Sequence, residues 1–388
     1  MDAILSYIPN KEIIVRPNDK PWMTGQIRYL INKRDCLYKR YTKSKNDIHF
    51  MSYNEACSNV RYAINKAKNI YYNRLLRRLQ NADTIDKEYH KICKYLYKGK
   101  STAGIPSLVE ANAVYSTSRA KAQIFNDFFS LNSTMDEPPM GFALPPLHFK
   151  TRARLSQIVF DHVKVYSVLK QLKTNKASGP DSISNKMLRE TAEVMAKPLS
   201  DLFNKSMSTG SFPTVWKRAN VSPIHKKSDR QTKENYRPIS LLSCVGKVME
   251  RIIFNELYEY CQHHNLLTWR NSGFKKQEST TNQLLHLVHR IYQCMDDGDD
   301  VLLVFLDVSK AFDKVYHYGL VHKLECIGIS GQLLSWFKSY LEGRLQRVVL
   351  NGECSNWTEI NAGVPQGSIL GPLLFLIFVD DIVDNLEC

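Results

Sequence analysis

The sequence predicts an α+β protein preceded by a basic helical segment, and three observations carry that expectation. Beyond residue 150, stretches of helical periodicity alternate with short strand-like stretches. A stretch with two proline pairs, residues 131–150, interrupts the pattern and reads as a linker. The first hundred residues hold 21 Lys+Arg against 9 Asp+Glu, so +12 of the formal net charge of +15 lies in the first quarter of the chain. The expected domains are therefore 1–130 (basic and helical), 131–150 (linker) and 151–388 (α+β).

In the first domain, Val60, Ile64, Ala67, Tyr71, Leu75 and Leu79 recur at helical spacing between Ser58 and Leu79. Arg61, Lys66, Lys68, Arg74, Arg77 and Arg78 take other positions of the same segment. Such a face is either a solvated surface over an ordinary core stripe or a contact for a phosphate backbone. The same quarter holds 11 of the 20 tyrosines, whose rings can stack on bases. After the linker, "DHVKVYSVLKQLKTNKASGPDSIS" reads as an amphipathic helix stopping at Ser178-Gly179-Pro180-Asp181. "LSDLFNKSMSTGSFP" reads as a helix closed by Gly210 and Pro213. "ANVSPIHKK" is a strand candidate, and "SCVGKVMERIIFNELYEYC" a long helix.

With 388 residues, 43% hydrophobic and 23% charged, the chain has enough apolar material for sizeable cores and is not of disordered composition. A pI near 9.3 favours a polyanionic partner, nucleic acid or an acidic membrane surface. No apolar run reaches the roughly 18 residues of a membrane span, and the start lacks a basic leader with an apolar segment, so an intracellular location without membrane insertion is expected. Nine cysteines stand singly, with no Cys-x-x-Cys pair. They read as reduced, mostly buried thiols without a local zinc signature.

Two stretches carry the chemistry. In "FLDVSKAFDKV" the apolar run Val301–Leu306 reads as a buried strand that ends on Asp307. Such an acid is commonly a turn or cap residue; at the end of a rigid strand it is also a fixed oxygen ligand for a hard cation such as Mg²⁺. In "AGVPQGSILGP" glycines 363, 367 and 371 and prolines 365 and 372 exclude an ordinary strand. A shaped loop leading into a helix is expected there.

Five stretches in order then resemble the reverse transcriptases of non-LTR retrotransposons, of the jockey and chicken-repeat-one kind. They are "KASGPDSISNKML" (176–188), "WKRANVSPIHKKSDRQTKENYRPISLL" (216–242), "NSGFKKQESTTNQLL" (271–285), "FLDVSKAFDKV" (305–315) and "AGVPQGSILGPLLFLIF" (362–378). The resemblance implies the fingers and part of the palm of a right-hand polymerase over 151–388, with no thumb. It implies an RNA template, a DNA primer and deoxynucleoside triphosphates as partners. Asp307, helped by the Val308 carbonyl, would hold Mg²⁺, with Mn²⁺ as the alternative ion. Lys226 and Arg237 would grip the triphosphate, and Phe312 would lie under the sugar and reject a 2′-hydroxyl. Gln366 and Gly367 would line the nucleotide and template pocket, while Asp313 would be a structural cap. The first hundred residues, with "KPWMTGQIRYLINKRDCLYKR", resemble the segment joining an endonuclease to the polymerase.

One departure accompanies the resemblance. The family carries an aromatic-Ala-Asp-Asp hairpin several tens of residues after its "VPQG" loop. "FVDDIVD" (378–384) comes too soon and is read as a helix end. The chain alone is therefore expected to be inactive. The rival readings are a nucleic-acid-binding remnant without chemistry and a fragment that does not fold stably.

Overall fold

The computed structural model describes residues 20–80, 104–110, 113–135, 144–226 and 228–382. The chain divides into two compact units, Met1–Gly104 and Ile105–Cys388. In the first, helices α1 (Gly25–Ser44) and α2 (Asp47–Gln80) pack on each other. The Thr24 hydroxyl caps α1 by accepting from the Ile27 N–H, and Lys45, at φ 47°, turns the chain toward α2. Val60 and Leu75 of the expected stripe are buried with Ile27 and Ala56. The helix begins eleven residues before the expected Ser58, because Tyr53 and Phe50 extend the seam, with their rings 5.2 and 5.0 Å from those of Tyr38 and Tyr41.

In the second unit, strands β1 (Leu108–Glu110) and β2 (Ala113–Tyr115) form a short antiparallel pair and lead into α3 (Ser118–Asn132). Helices α4 (His162–Lys170), α5 (Asn185–Glu190) and α6 (Ala192–Ser208) follow, then β3 (Arg218–His225), β4 (Tyr236–Leu241) and α7 (Cys244–His263). The remainder comprises α8 (Thr280–Asp296), α9 (His317–Cys326), α10 (Gly331–Leu341), β5 (Arg344–Leu350), β6 (Glu353–Cys354), β7 (Thr358–Ile360) and α11 (Gly371–Val379).

The main sheet runs β4-β3-β5-β6, with β7 also pairing β5. β3 lies antiparallel to β4 and parallel to β5. Its partnership with β5 covers only Arg218–Val221, so Pro223, which has no N–H to donate, falls where that side of the strand is unpaired. Along β5 burial alternates residue by residue, as a sheet with two unlike faces requires. One face is covered by α3, whose Phe125 and Phe129 join Val221, Tyr236, Val348 and Leu350 in a small core. A larger core gathers α4, α6, α7, α9, α10 and α11, with Phe203, Phe212, Trp336, Phe337 and Tyr340 inside it.

Four expectations meet a different arrangement. The helix from Asp161 ends at Lys170 rather than near residue 178; Leu172 already bonds back to Leu169 in a tighter turn, and Thr and Asn follow. The expected boundary at 131–150 falls inside the second unit, since the units divide after Gly104. Its described ends are tied down: Asn361 bonds to Met135 N–H and carbonyl, and Lys150 donates to the Cys326 carbonyl. Of the seven described cysteines only Cys244 and Cys261 are buried, although all seven are free thiols. Burial pushes the Cys261 thiol up to about 12.

The largest difference concerns Val301–Leu306. The run has no regular structure and is exposed, Leu302 by 88% and Leu306 by 91%. The apolar pattern is that of a buried strand, but a strand needs a neighbour for its backbone groups, and among the described residues none pairs with this one. The amphipathic helix α8 likewise buries none of its residues.

Candidate active site

The site is built where three segments of the second unit converge. The β3–β4 hairpin supplies the first cations. Ile224 faces Arg237 across the ladder, and Lys226, just beyond the strand, donates its backbone N–H to the Asn235 carbonyl at 2.8 Å. The second segment is the turn 309–314, closed by N–H groups of Asp313 and Lys314 onto the Lys310 carbonyl at 2.9 and 3.2 Å.

The third segment is the loop 362–370, which is fixed on three sides. Val364 and Gly363 donate to the carbonyls of Phe312 and Val315, both at 2.8 Å. The His317 ring also reaches the Gly363 carbonyl at 2.7 Å through Nε2, which must therefore carry the proton. Burial lowers the His317 pKa, while the bond to the Gly363 carbonyl pulls it the other way. On a second side the Gln366 carbonyl accepts from Ser240 of β4 at 2.9 Å. Here glycine is obligatory twice. At Gly363 (φ 82°) a Cβ would stand 2.7 Å from the Asp313 carbonyl oxygen, and at Gly367 (φ 139°) it would stand 2.4 Å from that of Ser240.

The third side is a buried acid that sequence reasoning missed. Glu250 of α7 is 2% exposed, and its Oε2 accepts from the N–H groups of Ile369 and Leu370 at 2.7 and 3.3 Å, just before α11 begins. Burial raises its pKa, against the opposing pull of those N–H groups and of Arg344. The signal was legible: Glu250 interrupts the stripe Gly246, Ile253, Leu257 and Cys261 on an otherwise apolar face. Glu250→Ala is expected to orphan two buried donors and cost about 2–4 kcal/mol. Glu250→Gln keeps an acceptor without a buried charge and should melt close to wild type, a contrast that thermal denaturation reads directly.

A cavity of about 580 Å³ opens between these segments. Its lining includes Lys226, Arg237, Asp307, Val308, Phe312 and Gln366, six residues that the sequence motifs single out. Gly367 is not part of the lining; it is exposed on the loop and packs its backbone against Ser240. The Phe312 ring stacks on Phe375 at 4.5 Å and meets Phe274 edge-on at 5.5 Å. Its ring is thus held rigidly where it borders the cavity.

Asp313 does not cap a helix. It is 8% exposed, and its Oδ1 accepts from Gln366 Nε2 at 2.7 Å. Burial raises its pKa, with Gln366 and Lys310 pulling the other way. The opposite wall comes from α3, through Phe128, Phe129 and Asn132, which motif reasoning did not connect with the site. Asp380 and Asp381 do not line the cavity. Asp380 is buried and accepts from Lys150 Nζ and from the Thr268 N–H, both at 2.8 Å, while Asp381 pairs with Lys323 at 2.5 Å.

The donor set does not make up a complete metal centre. Among the described residues no group of three or more His, Cys, Asp or Glu could hold an ion, and Asp307 stands on the exposed run with Asp313 engaged by Gln366. In the first unit, Arg61, Lys66, Arg74, Arg77 and Arg78 are exposed on α2. Lys68 is half-buried, with its ammonium 5.4 Å from the centre of the Trp22 ring.

Known proteins similar to this chain are polymerases of mobile elements. Residues 224–388 match the family model described as "Reverse transcriptase (RNA-dependent DNA polymerase)". The RNA-directed DNA polymerase from mobile element jockey of Drosophila melanogaster is 35% identical over 246 residues, covering 63% of this chain and 26% of that protein. The probable RNA-directed DNA polymerase from transposon BS of the same organism is 27% identical over 379 residues, covering 93% and 40%. The jockey polymerase of Drosophila funebris is 28% identical over 386 residues, covering 98% and 42%. These matches define the polymerase part of the chain as a reverse transcriptase domain. Within that class the chain is similar to the non-LTR retrotransposon enzymes of the jockey type. It spans between a quarter and about two fifths of the length of these relatives.

Proposed function

We propose that the cavity is the pocket for an incoming deoxynucleoside triphosphate, in a polymerase lineage that copies RNA into DNA by nucleotidyl transfer. The observation that carries this reading is the convergence of Lys226, Arg237, Asp307, Val308, Phe312 and Gln366, from segments up to 140 residues apart, on one cavity of about 580 Å³. That volume is within the usual range for small-molecule sites. Lys226 offers the triphosphate a mobile point charge and Arg237 a planar fork of donors. Phe312, braced by Phe375, forms a hard floor against which an added 2′-hydroxyl would collide. Gln366, whose amide is pinned by Asp313, and the neighbouring Gly367 backbone present a fixed edge to template and base.

Asp307 contributes one carboxylate toward a divalent ion, Mg²⁺ or Mn²⁺, and the Val308 carbonyl adds a neutral oxygen. Holding such an ion takes further carboxylates, which the described residues do not provide. The exposed run Val301–Leu306 and the uncovered face of α8 fit the same reading: the first has the pattern of a central palm strand waiting for its neighbours. On this reading the chain by itself is expected to be inactive in synthesis, while its pocket binds nucleotide. A photoreactive deoxynucleoside triphosphate, with the labelled peptides mapped, tests the assignment.

A second reading, a nucleic-acid-binding remnant, is favoured by the basic face of α2 and by the solitary Asp307. It predicts RNA binding without nucleotide binding.

A further inference from the structure

Lys310 is not among the cations that the sequence motifs assign, yet it lines the same cavity. Two features of its placement are unusual. Its backbone lies in the left-handed region, at φ 54°, where glycine would cost less. Its ammonium is held on α3, 2.6 Å from Asn132 Oδ1 and 4.4 Å from the centre of the Phe128 ring. Both of those residues line the cavity as well.

The charge balance of the wall depends on this side chain. The lining has three cations, Lys226, Arg237 and Lys310, against three carboxylates, Glu234, Asp307 and Asp313. Without Lys310 the wall would be net negative and would repel a polyphosphate. A neutral amide oxygen and a ring face offer the ammonium no opposite full charge, whereas a phosphate oxygen does, so a polyphosphate is the stronger partner.

We propose that Lys310 is a third phosphate-binding cation of the pocket, held by Asn132 and Phe128 of α3 until the polyphosphate tail of a nucleoside triphosphate takes it over. The proposal rests on the reading of the cavity as a triphosphate pocket. It brings α3 into the site as the element that stores the cation.

Equilibrium binding of a deoxynucleoside triphosphate and of inorganic tripolyphosphate to the full chain tests it. Lys310→Met should weaken both by roughly tenfold or more, the worth of one charge-assisted hydrogen bond. Lys310→Gly, which also relieves the left-handed backbone, should weaken binding equally while melting no lower than wild type. Asn132→Ala releases the ammonium from α3 and should tighten binding; Lys314→Met, an exposed neighbour, should change nothing. If Lys310 merely tethers α3 to the turn, Lys310→Met and Asn132→Ala will weaken binding alike, and the proposal is overturned. It is overturned as well if Lys226→Met and Arg237→Met weaken binding and Lys310→Met does not. Should none of the three matter, or the wild-type chain bind neither probe, the pocket reading itself fails and this inference with it.

Discussion

Fused to the palm hairpin and thumb of a related polymerase, the chain is expected to extend a DNA primer on an RNA template, and Asp307→Asn to lower that rate by about a thousandfold or more. The substitution keeps size and shape but removes the one negative charge on the segment entering the site. A loss of about 4 kcal/mol of transition-state stabilisation corresponds to such a factor. The unmodified chain should give no extension with Mg²⁺ or Mn²⁺, because the described residues supply no second and third ligand. Extension by the unmodified chain would return Asp380 and Asp381 to consideration, against their present use in holding Lys150, Thr268 and Lys323. Full activity of the Asp307→Asn fusion would reduce Asp307 to a turn residue.

The second large effect is expected from salt. Lys66, Arg74 and Arg77 fall within about 80° of one another on the outer face of α2, while Arg61 and Lys68 flank the apolar stripe, by the 100° step of an α-helix. With the basic residues of α1 they are the proposed electrostatic footprint for RNA. Single-stranded RNA should bind the full chain with an affinity that falls at least two orders of magnitude between about 50 and 200 mM salt. Each phosphate that is no longer neutralised takes about 0.7 off the logarithmic slope, so replacing Lys66, Arg74 and Arg77 by alanine should flatten it by about 2. A slope unchanged in that variant would show that the outer face is only solvated surface.

Much of this site was legible in the sequence because its parts are local. The proline- and glycine-bearing loop at 362–371 could not be a strand. The resemblance of "PIHKK" and "NYRPI" singled out the hairpin cations, of which Arg237 lies on β4 and Lys226 just past the end of β3. What was hidden depends on long-range packing. Residues 118–132 carry no motif that ties them to the site, so Asn132 and Phe128 could not be placed beside Lys310, nearly 180 residues later. Asp313 reads as a cap until Gln366 is brought to it across 53 residues. Val301–Leu306 shows the opposite failure: an apolar run states a preference for burial and does not supply the neighbouring strand that would satisfy it.

The central claim, that the cavity between the β3–β4 hairpin, the 309–314 turn and the 362–370 loop receives a nucleoside triphosphate, is tested most directly by crosslinking. A deoxynucleoside triphosphate carrying a photoreactive base is bound to the full chain, irradiated, and the adducts are located by mass spectrometry. The account predicts adducts confined to peptides containing Lys226, Arg237, Phe312 or Gln366, suppressed by excess unlabelled triphosphate and absent from Lys226→Met/Arg237→Met. Competable adducts on α1 and α2, or in a second cavity lined by His322 of α9 and Lys338 of α10, with the first cavity unlabelled, would contradict it.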